Sequence, residues 1–439
     1  MNTWGWGRFP VVDGEVVTAR DAADAAAALA AGPLIPRGLG RSYGDSSLGE
    51  RMLDLTGLDS LLAFDEVSGE LSVEAGVSLS EIIRVMLPRG WFLPVTPGTR
   101  FVTVGGAIAS DVHGKNHHQD GTFTDHVTSL RLLVGSGEVL TVSRSQHPDL
   151  FHATCGGMGL TGVILAATVR LLPVASRNVE ETVVKAPDLA AALAAFAERG
   201  DATYSVGWID LVASGATLGR SLVMTGEHAT DGDLRLASDA TLATVPFSTP
   251  SRLVNRFTVS AFNKLYYARV RQPVLQHTVG FEPFFYPLDR IGEWNRLLGS
   301  RGFLQYQFAI PFGDGPAALR EVIERIAAAS QRSSALVATP IAVLKIFGES
   351  NDNLLSFPMA GYTLALDFAA TPAALRFCDE LDRLVLAAGG RLYLTKDSRM
   401  SPAMLAASYP RLEEFERVRE RYGATGVFTS TQSKRLGLS

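Results

Sequence analysis

Four of the eight histidines in this 439-residue chain fall within residues 113–126. His113, His117, His118 and His126 lie in the run GAIASDVHGKNHHQDGTFTDHV. Imidazoles so close together can ligate a metal, move protons or line a cofactor. A metal pair at His113 and His117 needs the four-residue spacing of a helix. Gly114, Asn116 and Gly121 argue against a helix there, and the cluster lacks the nearby Glu or Cys that usually completes a zinc site. The prediction is therefore no metal: a loop of Gly, His, Lys and Asn pressed against a polar cofactor ring, with His118 and His126 read as solvated loop histidines.

Three glycine-rich stretches lie on either side: RGLGRSYGDS at 37–46, PGTRFVTVGG at 97–106 and CGGMGLTG at 155–162. Successive backbone N–H groups in such loops make concave anion sites, and a missing Cβ lets the backbone approach a phosphate. Three in one region point to a long, phosphate-bearing cofactor. The third contains a formal dinucleotide fingerprint, Gly157-x-Gly159-x-x-Gly162, but it follows the helical segment HPDLFHAT and leads into a strand, the reverse of the order a Rossmann unit needs. The first contains a formal G-x-S-x-G at 40–44. A nucleophile elbow requires a following helix, whereas DSSLGERMLDL is turn-like and then extended, which disfavours a serine hydrolase.

The elements that must position these loops follow from pattern. Thr18 to Ala31 is predicted as an alanine-rich helix closed by Gly32. LLAFDEVSGELSVEAGV is a hairpin about Ser68-Gly69, and Ser78-Leu79-Ser80-Glu81 a capping box that opens a helix through Met86. A second hairpin spans 129–143, and TGVILAATVRLLPV is a long strand. After Pro173, helices at 187–199, 316–329 and 372–388 alternate with strand-like runs such as YSVGWIDL and FLQYQFAIPF. The reading is α+β, with an irregular first unit through about 177 and a second α+β domain over roughly 178–390.

Composition narrows the functional classes. A net charge of -5 with no basic block argues against nucleic acid as a partner. Two cysteines, Cys155 and Cys378, can build neither a disulfide framework nor a four-cysteine zinc site, and both are expected to be packed. The N-terminus MNTWGWGRFP does not read as a signal peptide, and the longest apolar run, 159–169, falls short of the roughly 20 residues that span a bilayer. The expected location is cytoplasmic, or peripheral on a membrane.

Collinear motifs carry a resemblance. GWGR at 5–8, RGLGRSYGD at 37–45, PGTR and VTVGGAIA at 97–109, HGKNHH at 113–118 and GLTG at 159–162 are followed by GEWNR, GFLQYQF, KIFG, LSFP and finally GGRLY with KDSR at 389–399. The chain resembles the vanillyl-alcohol oxidase type of FAD-binding oxidases, and within them the decaprenylphosphoryl-β-D-ribose 2-oxidase family. That implies a bipartite FAD-binding domain, 1–177 with 391–439 returning to it, and an inserted substrate domain, 178–390, built on an antiparallel sheet. It also implies cofactor contacts at Gly38, Gly40, Arg41, Ser42 and Tyr43 in the first loop, and at Pro97, Gly98, Thr99, Gly105 and Gly106 in the second. His113, Gly114, Asn116 and His117 follow in the histidine loop, with Gly159 and Val163 around the third. Covalent members bond the flavin through a histidine where this chain has Arg41, so non-covalent FAD is expected.

The resemblance further implies oxidation of a secondary alcohol: the ribose 2-hydroxyl of a lipid-linked sugar phosphate becomes a ketone, which a short-chain reductase returns as the arabino epimer. A soluble alditol, sugar or aldonolactone is the alternative substrate. Lys396 is expected beside the reacting hydroxyl, Tyr393 packed on flavin and substrate, and Lys345 at the substrate phosphate. Gln305 and Gln307 alternate on one strand face and so share a pocket. Lys115, Trp208, Phe285 and Thr363 complete the expected pocket. The substrate side departs from the family pattern. Phe285-Tyr286 shifts a hydroxyl by one position, Thr363 and Ala365 replace an asparagine and a cysteine, and Val206 replaces a serine.

Overall fold

The computed structural model describes residues 1–236, 243–249 and 254–438. Two sheets organise it. The first, of five strands, has the order Val139–Val142, Val127–Leu133, Val163–Arg170, Glu70–Glu74, Leu61–Asp65, every neighbour antiparallel. Both predicted hairpins are its edges. A small parallel sheet, in which Glu15–Thr18 and Ile35–Arg37 flank Arg51–Asp54, stands beside it.

The helix predicted from Thr18 starts later, at Ala22, and ends at Ala30. Thr18 is instead paired with Asp54, and the Asp21 carboxylate caps the helix by accepting from Asp24 N. Ser78 caps the Leu79–Met86 helix as expected, accepting from Glu81 N at 3.1 Å. The reciprocal half of the box is not among its bonds: the Glu81 carboxylate turns to Arg84.

The second sheet has eight strands, in the order Val274–Gly280, Asn178–Ala186, Ser221–His228, Tyr204–Ile209, Val343–Phe347, Gly361–Ala369, Phe303–Pro311, Arg391–Leu392. All pairs are antiparallel. Its last strand carries the sheet two residues past 390. Period-two alternation gives it two unlike faces. Leu304, Tyr306, Phe308, Leu364 and Leu366 face the Gly315–Arg332 and Pro372–Ala387 helices, where Tyr306 donates to Asp382 at 3.0 Å and Phe377 meets Phe368 edge-on. The register puts Gln305 opposite Asp367, Gln307 opposite Ala365, and Thr363 opposite Lys345 on the other face. That polar face turns toward the glycine-rich loops.

The chain end returns to the first unit. Leu34 N and Thr429 N bond across to Val427 O and Leu34 O, and Phe428 packs with Leu53, Leu133 and Val163. Arg419, wholly buried, donates to the carbonyls of Leu160, Phe428 and Leu438, which fixes the third glycine loop against the last helices. Helices at Arg256–Ala268, Leu412–Arg421 and Thr431–Leu436 were not predicted.

Aromatic rings fill the seam between the two units. His228 lies among Phe92, Tyr204 and Phe285 at 5.4 to 6.0 Å, and neither ring nitrogen has a partner among the described residues. Burial holds its pKa down to about 4. The unfolded chain therefore binds a proton that the folded one refuses between about pH 6.5 and 4, so this histidine removes stability as pH falls through that window. A His228→Phe variant is expected to show a shallower loss of melting temperature between pH 7 and pH 4.5 than the parent. Parallel curves from calorimetry would contradict this.

Candidate functional site

The cofactor loops converge through backbone contacts. Trp6 N donates to Ser42 O and Tyr43 N to Thr395 O, so the first loop lies against the 393–399 turn. Gly156 N and Met158 N reach Ile108 O and Ala109 O, which brings the third loop to the second. Gly44 sits so close to Asp397 O that a Cβ there would meet it at 1.7 Å. Asp289 accepts from Arg100 N at 2.9 Å and Tyr286 reaches Thr96 Oγ1 at 2.6 Å, so the second loop is held from the inserted unit.

Three of the predicted cofactor positions make structural contacts of their own. Ser42 Oγ meets Ser47 Oγ, Arg41 stacks its guanidinium 4.1 Å over Trp6, and Thr99 Oγ1 accepts from Phe101 N. Gly40 and Gly159 adopt the left-handed conformation, with φ of 62° and 77°, that a side chain would strain. Val163 points its side chain into the core with Leu133 and Phe428, away from the loops.

His113 and His117 do not share a helix. His113 is extended and bridges to Thr122, and His117 opens a single helical turn, His117–Asp120. Both rings pack at 4.7 Å on Phe347 of the polar sheet face. His117 Nδ1 accepts from Gly348 N, which places its proton on Nε2. Gln307 donates to His113 Nε2 at 3.1 Å, leaving the proton on Nδ1, a buried donor with no partner. Burial and the nearby Lys345 push the His113 pKa well down, so the ring is neutral. Asn116 fixes the loop by donating to Pro94 O and Asp120, while its Oδ1 is buried without a partner. His118 and His126 are not solvated as predicted: each Nε2 bonds a backbone carbonyl, of Ala202 and Asp120 respectively.

The residues fit an FAD. A Cβ at Gly98 would meet no protein atom within 4 Å, and one at Gly106 only Thr103 Oγ1 at 3.1 Å, so backbone rather than side chain faces the groove there. Polar groups in need of partners, His113 Nδ1 and Asn116 Oδ1, lie at the end of these loops where a polar ring system would supply them.

On the sheet side three amines are gathered. Lys396 sits 3.8 Å over the Tyr43 ring, Lys345 reaches Gly114 O at 3.4 Å, and Lys115 donates to Phe284 O. Burial, and for Lys345 the charges of Lys115 and Lys396, lower their pKa values to about 7, 7 and 8. Asp367 faces Lys396 electrostatically and binds Gln305 Nε2 at 2.8 Å, and burial raises its carboxyl to about 7. Asp397, the natural ion-pair partner for Lys396 by sequence, is taken by Arg435, which also clamps Asp45 at 2.8 Å. Lys396 is thus withheld from a surface ion pair.

The other expected pocket residues divide. Gln307 donates to Thr363 Oγ1 at 3.4 Å, so both join the group. Tyr393 stacks on Phe357 at 4.6 Å and spends its hydroxyl on Ser110 O, which makes it a wall. Trp208 lies one strand from the lysines, its ring 4.8 Å from Tyr266 and its N–H on Pro340 O. Phe285 does not join them: it is enclosed by Phe92, Tyr204, Phe284 and His228, because the Phe281–Phe285 turn of helix directs it into the seam.

Three supporting groups escaped the sequence reading. Asp367 is the one charged residue on the Gly361–Ala369 strand, a signal that could have been used. Asp111 accepts from Asn351, Asn353 and Ser356 at 3.0, 3.0 and 2.6 Å and so ties the 351–356 loop to the histidine loop. Phe347 and Phe357 box His113.

A groove of glycine loops beside a polar sheet face and a cluster of lysines fits an FAD-dependent oxidoreductase, and the likenesses to known proteins show that class. Residues 15–143 match the FAD binding domain model, and residues 300–436 match the model of D-arabinono-1,4-lactone oxidase. The chain is 38% identical to decaprenylphosphoryl-β-D-ribose oxidase of Mycolicibacterium smegmatis over 99% of its length and 97% of the relative's, and belongs to that family. It is also 36% identical to an uncharacterised protein of Streptomyces coelicolor, over 82% of this chain and all of that one. A D-arabinono-1,4-lactone oxidase of Candida glabrata is 26% identical over 31% of this chain and 26% of its own.

The depressed amines give a measurable signature. An anion bound among them restores their charged forms, so at pH 8 a phosphate-bearing ligand should bind with net proton uptake. Titration calorimetry in buffers of different ionisation enthalpy is expected to show it, and Lys345→Met to remove a large part of it. Binding without proton exchange would contradict the lowered pKa values.

Proposed function

We propose that this enzyme oxidises the 2-hydroxyl of a polyprenylphosphoryl-β-D-ribose to the 2-keto sugar, the first half of an epimerisation that a short-chain reductase completes. The observation that carries it is three buried amines, Lys345 on the polar sheet face with Lys115 and Lys396 from the loops beside it, faced only by the Glu181 and Asp367 carboxylates among the described residues, a charge pattern complementary to a sugar phosphate. The whole-length likeness to the mycolicibacterial oxidase supports the same substrate class.

Lys345 and Lys115 hold the phosphate, and Gln305 and Gln307, two residues apart on one face, hydrogen-bond the sugar. FAD held along the glycine-rich loops and His113 would supply the acceptor for the carbon-bound hydrogen, taken as hydride. The hydroxyl proton passes to Lys396, whose amine is partly neutral at pH 7. Tyr43 and Asp367 stabilise the ammonium that results. Tyr393, Phe347 and Phe357 exclude water around His113.

In this reading residues 1–177 and 391–439 hold FAD and 178–390 hold substrate. FAD is non-covalent, since the Arg41 guanidinium offers no nucleophilic nitrogen. The enzyme works in the cytoplasm or peripherally at a membrane. No helix among the described residues is long and apolar enough to cross one. The match of residues 300–436 to the lactone oxidase model favours, as the second reading, a soluble sugar, alditol or aldonolactone.

Anaerobic addition of farnesylphosphoryl ribose is expected to bleach the yellow band of the purified protein, and acid precipitation to release all flavin into the supernatant. A yellow protein that bleaches only with a lactone or alditol would move the assignment to the second reading. Lys396→Ala should keep FAD and lose on the order of 100-fold or more in kcat; near-normal turnover would remove its role. For the parent, kcat/KM should rise with pH through a limb near 7 as Lys396 loses its proton. Asp367→Asn should move that limb to lower pH, because the carboxylate is what holds the lysine pKa up. An unmoved limb would separate Asp367 from the proton transfer.

A further inference from the structure

Between Ala240 and Phe281 the chain carries no acidic residue and five basic ones, Arg252, Arg256, Lys264, Arg269 and Arg271, although its net charge is -5. The Arg256–Ala268 helix lies in this stretch. Its inner side is seated on the protein: Val259 and Asn263 are buried, and Asn263 Nδ2 donates to Asp210 Oδ1 at 2.6 Å. Its outer side is apolar. Phe257 and Leu265 are each 75% exposed and Ala261 and Ala268 lie exposed on the same side, the spacing of one helical face, with Phe262 beside them at 49%. Arg256, Lys264 and Arg269 are exposed, as is Arg271 just beyond, and none has a carboxylate within ion-pair distance among the described residues.

An apolar stripe edged by unpaired cations is the pattern of a helix lying in a membrane interface. Anionic lipid headgroups attract such cations, and the side chains beneath them enter the acyl boundary. A second copy of this chain is a poor occupant, because a two-fold contact would set the same basic residues against one another.

We propose that the outer face of the Arg256–Ala268 helix docks the enzyme on a bilayer that contains anionic lipid. The helix also touches the site. Tyr266 packs on Trp208, which shares the polar sheet face with Lys345 and Gln307, so docking sets the pocket beside the membrane. This purpose rests on the lipid-linked substrate proposed above; the docking itself does not.

The test is cosedimentation of the flavin-loaded enzyme with phosphatidylcholine vesicles, with and without phosphatidylglycerol, at low and high salt. The wild type is expected to pellet with the anionic vesicles at low salt and to be released by salt. Lys264→Glu with Arg271→Glu, and separately Phe257→Ser with Leu265→Ser, should each weaken binding by at least about tenfold. Flavin content, melting temperature and turnover of soluble farnesylphosphoryl ribose should stay at the wild-type level. Failure of the wild type to pellet, or pelleting undiminished in both variants, overturns the proposal. So does a dimer in sedimentation that Phe257→Ser with Leu265→Ser dissolves while no vesicle is bound. An enzyme that pellets as expected but oxidises no prenylphosphoryl sugar keeps the docking face and removes the substrate reading instead.

Discussion

Enclosing three amines together is the constraint around which this structure is arranged. Each loses hydration, Lys345 is further opposed by its two neighbours, and of the two facing carboxylates, Glu181 at Lys115 and Asp367 at Lys396, the latter is itself driven toward its neutral form by burial. Such a group persists only if the surrounding fold prevents it from opening to solvent or collapsing into ion pairs. The eight-stranded sheet supplies the rigidity, since neighbouring strands place Lys345, Thr363, Gln307 and Asp367 in fixed register. Burying amines in this way costs stability, and in the proposed reading a bound sugar phosphate offsets that cost.

The ion pairs that could have quenched the amines are used elsewhere. Arg435, from the last helix, takes both Asp45 and Asp397, and thereby joins the first glycine loop to the turn that carries Lys396. Asp111 performs a similar service on the other side, collecting Asn351, Asn353 and Ser356 under the histidine loop. Both networks are buried, and each spans residues far apart in sequence. A cofactor groove and a substrate face made by different parts of the chain are thus held at one distance, as hydride transfer between two bound partners requires.

Much of the scaffold was legible. Hairpins at 61–74 and 127–142, the long strand after Gly162 and the helices at 189, 315 and 372 follow from alternation and turn residues, the last also from its Thr371 cap. Errors arose where a tertiary pairing overrode a local preference: Thr18 joined a parallel strand instead of a helix, and Glu81 chose Arg84 over the backbone of its own cap. His118 and His126 were read as solvated because nothing in sequence shows the carbonyls that meet them. The Arg256–Ala268 helix was missed since its apolar residues lie on both sides of it, Val259 inward and Phe257, Phe262 and Leu265 outward, which blurs the single stripe that marks most surface helices.

By itself the sequence determined the chemistry available: glycine loops suited to phosphate, two glutamines on one strand face, and lysines at 115, 345 and 396. Residue type and short-range spacing are local properties, and they suffice for these. Only the tertiary structure decided that the three lysines meet and that Asp397 is withdrawn from Lys396. It also decided that Phe285 turns into the seam while the Tyr286 hydroxyl goes to Thr96. Those outcomes depend on strand register and on contacts between positions hundreds of residues apart, which no local pattern encodes.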